Sequence, residues 1–106
     1  MRCYAGAMDH VDFADERLRR LEEDPGYTAG FAANIVRGYR KAMQAIRAAT
    51  DERDLCAMRG LRFEKLQGKR AHQHSMRLND QWRLILELRS DARGKQVWII
   101  SIEDYH

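Results

Sequence analysis

His74-Ser75-Met76-Arg77-Leu78-Asn79-Asp80-Gln81-Trp82-Arg83-Leu84-Ile85-Leu86-Glu87-Leu88 is the stretch that decides the fold. Apolar and polar residues alternate on both sides of Asn79-Asp80-Gln81, the period of a strand with one buried face. Two such runs joined by a short polar segment make a β-hairpin. A three-residue loop pairs Leu78 with Trp82, Arg77 with Arg83 and Met76 with Leu84. Met76, Leu78, Trp82, Leu84, Leu86 and Leu88 then share one face, and both arginines share the other. A two-residue loop would set Arg83 among the apolar side chains, and burying that charge is too costly.

Beyond the hairpin, Ser90 to Lys95 is a polar turn containing Gly94, and Gln96 to Ile102 is a second β-prone run. Before it, Val11-Asp12-Phe13 alternates as a short strand. Ala14 to Asp24 is rich in helix formers and is stopped by Pro25-Gly26. In Phe31 to Thr50, Ile35, Tyr39, Ala42, Ile46 and Ala49 recur at three- and four-residue steps, which predicts a long amphipathic helix. Asp51 to Arg59 is polar, with room for one more helical turn. The expected architecture is α+β. A short N-terminal strand precedes two antiparallel helices, packed on one face of a mainly antiparallel three- to four-stranded sheet. The other face is left open to solvent and carries Arg77 and Arg83.

The chain has 106 residues with one proline, so a single domain over 1–106 is expected, with 1–8 as an extension. Residues 9–54 hold eight basic and ten acidic side chains, whereas 59–89 hold eight basic and three acidic. The basic second half suits a polyanion partner, although a solvated basic face carries the same signature. Cys3 and Cys56 lack metal-ligand spacing and read as incidental thiols of a reduced, cytoplasmic protein. No run is long and apolar enough for a membrane span, and Met1 to His10 is too short and polar for a secretory signal.

Cleavage of RNA by its own 2′-hydroxyl needs a base, cations that stabilise the crowded phosphorane, and an acid for the departing 5′ oxygen. It requires no metal and no cofactor. Glu64, Lys65, Lys69, Arg70, Arg77, Arg83, Asp104, Tyr105 and His106 supply that inventory. There is no paired-cysteine zinc spacing and no phosphate-cradling glycine loop. Arg77 and Arg83 as like charges across a strand pair are unfavourable unless an anion lies between them, which points to a ligand. His74 faces the helices by alternation and reads as a packed, hydrogen-bonded histidine. Taken singly, Glu64 reads as a surface carboxylate and Tyr105-His106 as a frayed terminus.

Phe63-Glu64-Lys65-Leu66-Gln67-Gly68-Lys69-Arg70, then Gln73 to Leu84, then Glu103-Asp104-Tyr105-His106, resemble the HigB toxins, or plasmid maintenance system killer proteins, of the RelE/ParE superfamily. The resemblance implies a RelE-like fold and an endoribonuclease that enters the ribosomal A site and cuts mRNA to a 2′,3′-cyclic phosphate. It implies a helix-turn-helix HigA antitoxin that neutralises the toxin, operator DNA being bound only through that complex. It places Arg83 at the scissile phosphate, Asp104, Tyr105 and His106 in a terminal catalytic group, and Lys69 and Arg70 against mRNA or ribosomal RNA. Glu64 stands where some members carry a catalytic histidine, and Gln67 where they carry lysine. Two other functions share the superfamily: a ParE-type gyrase poison without ribonuclease activity, and a degenerate toxin kept as operon co-repressor. Arg83 with the terminal Asp104-Tyr105-His106 favours the ribonuclease.

Overall fold

The computed structural model describes residues 10–50, 52–91 and 94–104. Strand β1 (His10–Phe13) leads into helix α1 (Glu16–Glu23), capped by Asp15, whose Oδ1 accepts from the Arg17 backbone N–H at 2.9 Å. Beyond α1, the Gly26 N–H donates to Asp24 Oδ1 at 2.9 Å, the local turn that Pro25-Gly26 foretells. Helix α2 (Ala33–Ala48) follows, then the short α3 (Glu52–Ala57). The remaining strands are β2 (Glu64–Lys65), β3 (Gln73–Arg77), β4 (Trp82–Asp91) and β5 (Gly94–Asp104).

The five strands form one sheet in the order β1-β5-β4-β3-β2. Only the β1–β5 pair is parallel. After the N-terminal strand and the helices come four strands, within the expected three or four, the first of them, β2, only two residues long. The hairpin register is the one that a three-residue loop demands: Arg77 lies opposite Arg83, Met76 opposite Leu84, and the Leu78 N–H donates to Trp82 O at 2.9 Å.

The core lies between the helices and one face of the sheet. Leu18, Leu21, Tyr39, Met43 and Ile46 meet Met76, Leu84, Leu86, Val97 and Ile99, all buried. Tyr39 joins the two long helices by donating its hydroxyl to Leu18 O at 2.7 Å. Arg40 donates to the carbonyls of Leu21, Asp24 and Tyr27, so the C-terminal end of α1 is satisfied by a cation from α2. Trp82 differs from its expected place in the core. It is half-buried and meets Phe31 edge-on, ring centroids 6.0 Å apart. Trp82 is the first residue of β4, beside the hairpin loop, and part of its side chain is left to solvent.

A β-bulge interrupts β5. Ile85 pairs with Ser101 but Leu86 pairs with Ile99, so Ile100 is an extra residue. The inserted residue shifts the alternation of β5 by one. Val97 and Ile99 face the helices, and so does Ile102; Ser101 and Glu103 face the other way, beside Ile85 and Arg83.

Candidate active site on the helix-free face

The face turned away from the helices is built in cross-strand rows. One row runs Arg77, Arg83, Glu103 across β3, β4 and β5. The next runs Glu64, Ser75, Ile85, Ser101, and a third runs Gln73, Glu87, Trp98. The expectation of a solvent-open Arg83 is corrected here: the residue is only 8% exposed. It is the second residue of β4, the strand between β3 and β5, and has cross-strand neighbours on both sides. Ser75 and Ile85 are buried as well, although no helix crosses this face.

The like-charge argument also changes. Arg77 turns toward the hairpin loop, donating to Asn79 O and pairing with the Asp80 carboxylate. Arg83 has Glu103 as its cross-strand neighbour on β5. For Arg77 the chain itself therefore supplies a carboxylate where the sequence suggested an external anion. The same holds along the face. Arg89 pairs with Glu87 at 2.8 Å while its guanidinium lies over the Trp98 ring, and Arg70 pairs with Glu103 at 2.9 Å. The Glu103 carboxyl is held below the usual carboxylate range, chiefly by the Arg70 hydrogen bonds; Glu87 is held down chiefly by Arg89. Exposed pairs of this kind contribute little to stability and exchange readily for other anions.

The remaining candidates are spread over the sheet. Glu64 is exposed on β2, in the row next to Arg83, opposite Ser75. Lys65 lies opposite His74 on the helix side of the sheet and is exposed, whereas Lys69 and Arg70 sit in the 3-10 turn Gly68–Arg70 that leads into β3. Asp104 pairs in register with Trp82, which puts it on the helix side of the sheet, where it accepts from Gln81 Nε2 at 3.0 Å. It does not share a face with Arg83. Tyr105 and His106 lie outside the described residues, as does the expected extension 1–8. His74 packs as expected, stacked on Phe63 with ring centroids 4.7 Å apart, but its buried Nδ1 lacks the expected hydrogen bond among the described residues. Sequence reading passed over Glu103, the carboxylate that does share the Arg83 face, because the bulge at Ile100 leaves no mark in the alternation.

A mainly antiparallel sheet with helices on one side and rows of paired arginines and carboxylates on the other makes an α+β domain. The model of the RelE-like toxin of type II toxin–antitoxin system HigB matches residues 11–106, and the chain belongs to that family. It is a type II toxin, a class defined by an antitoxin partner. Among solved structures the fold is similar to a YoeB/ParE toxin from Agrobacterium tumefaciens, with TM-score 0.56 and 12% identity, covering 92% of this chain and 99% of that one. No curated protein matches the chain in sequence. Among the described residues, no helix is long and apolar enough to cross a membrane.

Proposed function

We propose that the chain is an mRNA interferase that acts on ribosome-bound mRNA in the cytoplasm, by attack of a ribose 2′-hydroxyl on the adjacent phosphate. The observation that carries this reading is Arg83, held at 8% exposure in the Arg77–Arg83–Glu103 row of a helix-free face. A guanidinium on this row offers a planar fork to phosphate oxygens, and its charge is needed most when the pentacovalent phosphate forms. Arg77, Lys69 and Arg70 bind the neighbouring RNA backbone; Lys65, opposite His74 on the helix side of the sheet, lies off this face. Glu64, in the adjacent row, is the carboxylate placed to take the 2′ proton. Of the terminal group that the HigB resemblance implies, His106 is the candidate acid or base, with Tyr105 beside it in sequence; Asp104, on the other face of the sheet from Arg83, stands outside this centre. A HigA-like helix-turn-helix antitoxin is the partner, and operator DNA is met only through it.

The face carries few groups suited to reading bases and many cations, so alignment of the 2′-oxygen must come from elsewhere. The ribosomal A site supplies it by holding the codon in a reactive geometry. The test is inducible expression with mapping of mRNA 5′ ends, alongside purified toxin acting on naked RNA and on programmed ribosomes. Cleavage confined to ribosome-bound mRNA supports the reading. Equal rates on both substrates sink the ribosome dependence, and growth arrest without any cleavage favours a gyrase-binding toxin. Ribosome affinity should fall as salt rises, since the contacts are to phosphates.

A further inference from the structure

Arg70 and Glu103 come from distant parts of the helix-free face. Arg70 lies in the turn between β2 and β3, whereas Glu103 stands on β5, with β3 and β4 between them. Arg70 Nη1 and Nη2 donate to the two carboxylate oxygens at 3.0 and 2.9 Å, a two-pronged pair. Ser101 Oγ donates a third hydrogen bond to Glu103, at 2.8 Å, and Arg70 Nε donates to Gln73 Oε1 at 2.9 Å. The Arg70 side chain thus spans from the Gln73 row to the Glu103 row. Ser75 and Ile85, in the row between those two, are 1% and 3% exposed.

Carboxylate and phosphate present the same two-oxygen edge to a guanidinium fork. Here one carboxylate stands between an arginine from a loop and, across the strand pair, Arg83. We propose that Glu103 is the resident counter-ion of a phosphate subsite made by Arg70 and Arg83, its carboxylate marking the place where an RNA phosphate binds. On binding, Arg70 transfers from Glu103 to the phosphate. The pair is 46% and 39% exposed at its two side chains, so solvent screens it and the exchange costs little. The charge that stays on Glu103 holds anion affinity below what the arginines alone would give. This assignment rests on the RNA-cleaving reading above for the identity of the phosphate, but its test does not require cleavage.

The probe is inorganic pyrophosphate, titrated calorimetrically against the full chain. Glu103→Gln keeps the shape and the hydrogen-bond acceptor and removes the charge. Its pyrophosphate affinity should rise about tenfold at low salt. Arg70→Gln should lower affinity, and the double variant should fall below Glu103→Gln alone. Equal affinities in wild type and Glu103→Gln, or no measurable binding by either, overturn the proposal. So does a Glu103→Gln variant that melts earlier and binds more weakly, which is the behaviour of a purely structural ion pair. The two readings separate cleanly. Raised pyrophosphate affinity in a chain that cuts no ribosome-bound mRNA sinks the ribonuclease alone, and cleavage with unchanged anion affinity sinks the subsite alone.

Discussion

A Cβ on Gly38 would stand 2.3 Å from the carbonyl oxygen of Leu78. Helix α2 and the end of β3 therefore approach backbone to backbone, and glycine at this position is a packing requirement. Gly38→Ala forces the helix and the hairpin apart. It should destabilise by about 1–3 kcal/mol, the cost of overpacking, despite alanine's better helix propensity. Urea unfolding measures it, and a variant as stable as wild type would show that the two elements can slide without loss.

Leu84 and Trp82 are neighbours on the same sheet face with different burial. Leu84 is fully enclosed in the core, whereas Trp82 is half-buried with one edge on Phe31. Leu84→Ala should cost about 2–5 kcal/mol. Trp82→Ala should cost less than the ~3–5 kcal/mol of a fully buried tryptophan. If thermal melts reverse that order, the hairpin end is packed more deeply than its exposure indicates.

His74 gives the fold an acid-sensitive element. Burial first, and then the Lys65 charge, holds its imidazole below the ordinary histidine pKa, and among the described residues its buried Nδ1 has no hydrogen-bond partner. As pH falls, the unfolded chain takes up this proton before the folded one. The stability is therefore fully present above about 6.5, the ordinary value, and is lost as pH falls through the folded value. His74→Phe keeps a ring against Phe63 and removes the titration. Urea midpoints followed from about pH 8 to about pH 5 should decline less in the variant. Parallel curves for the two proteins would assign the decline to other groups.

Arg83 is where the proposed chemistry is most exposed to test. Arg83→Ala should slow cleavage of ribosome-bound mRNA by about 10²–10³-fold. Arg83→Lys should recover only part, because an ammonium lacks the planar fork. At 8% exposure the alanine variant leaves a gap in the sheet face, so circular dichroism and antitoxin binding must accompany the rate. A folded Arg83→Ala toxin that cuts at the wild-type rate would remove Arg83 from the reaction.

The sequence made the hairpin legible because only one register keeps Arg83 out of the apolar set, and that register is the one found. Helix α2 was legible for a similar reason: its stripe of Ile35, Tyr39, Ala42 and Ile46 repeats long enough to outweigh local propensity. The site was legible only as an inventory. Which carboxylate faces Arg83 depends on the bulge at Ile100, and a run of β-prone residues does not say where one of them is looped out. Alternation counted without interruption from Val97 and Ile99 would send Glu103 to the helices. The reach of Arg70 across two strands and the turn of Arg77 toward Asp80 are likewise set by tertiary geometry, with no trace in residue spacing. Trp82 was misplaced because periodicity reports which face a side chain takes, not how much of it is covered.

The parallel pairing of His10–Phe13 with Gln96–Ile99 ties an early segment of the chain to a late one. During synthesis both long helices and the β3–β4 hairpin emerge while β1 still lacks its neighbour and β4 has one bare edge. Glu103, the cross-strand neighbour of Arg83, is not yet made at that stage. A product that stops before Gly94 carries nearly every cation of the helix-free face, yet it has two unpaired strand edges and no completed row. Such a fragment is a candidate for aggregation and proteolysis, not a partial toxin. Interrupted translation of this chain thus yields debris in place of a hazard, because the strand that finishes the sheet also finishes the site.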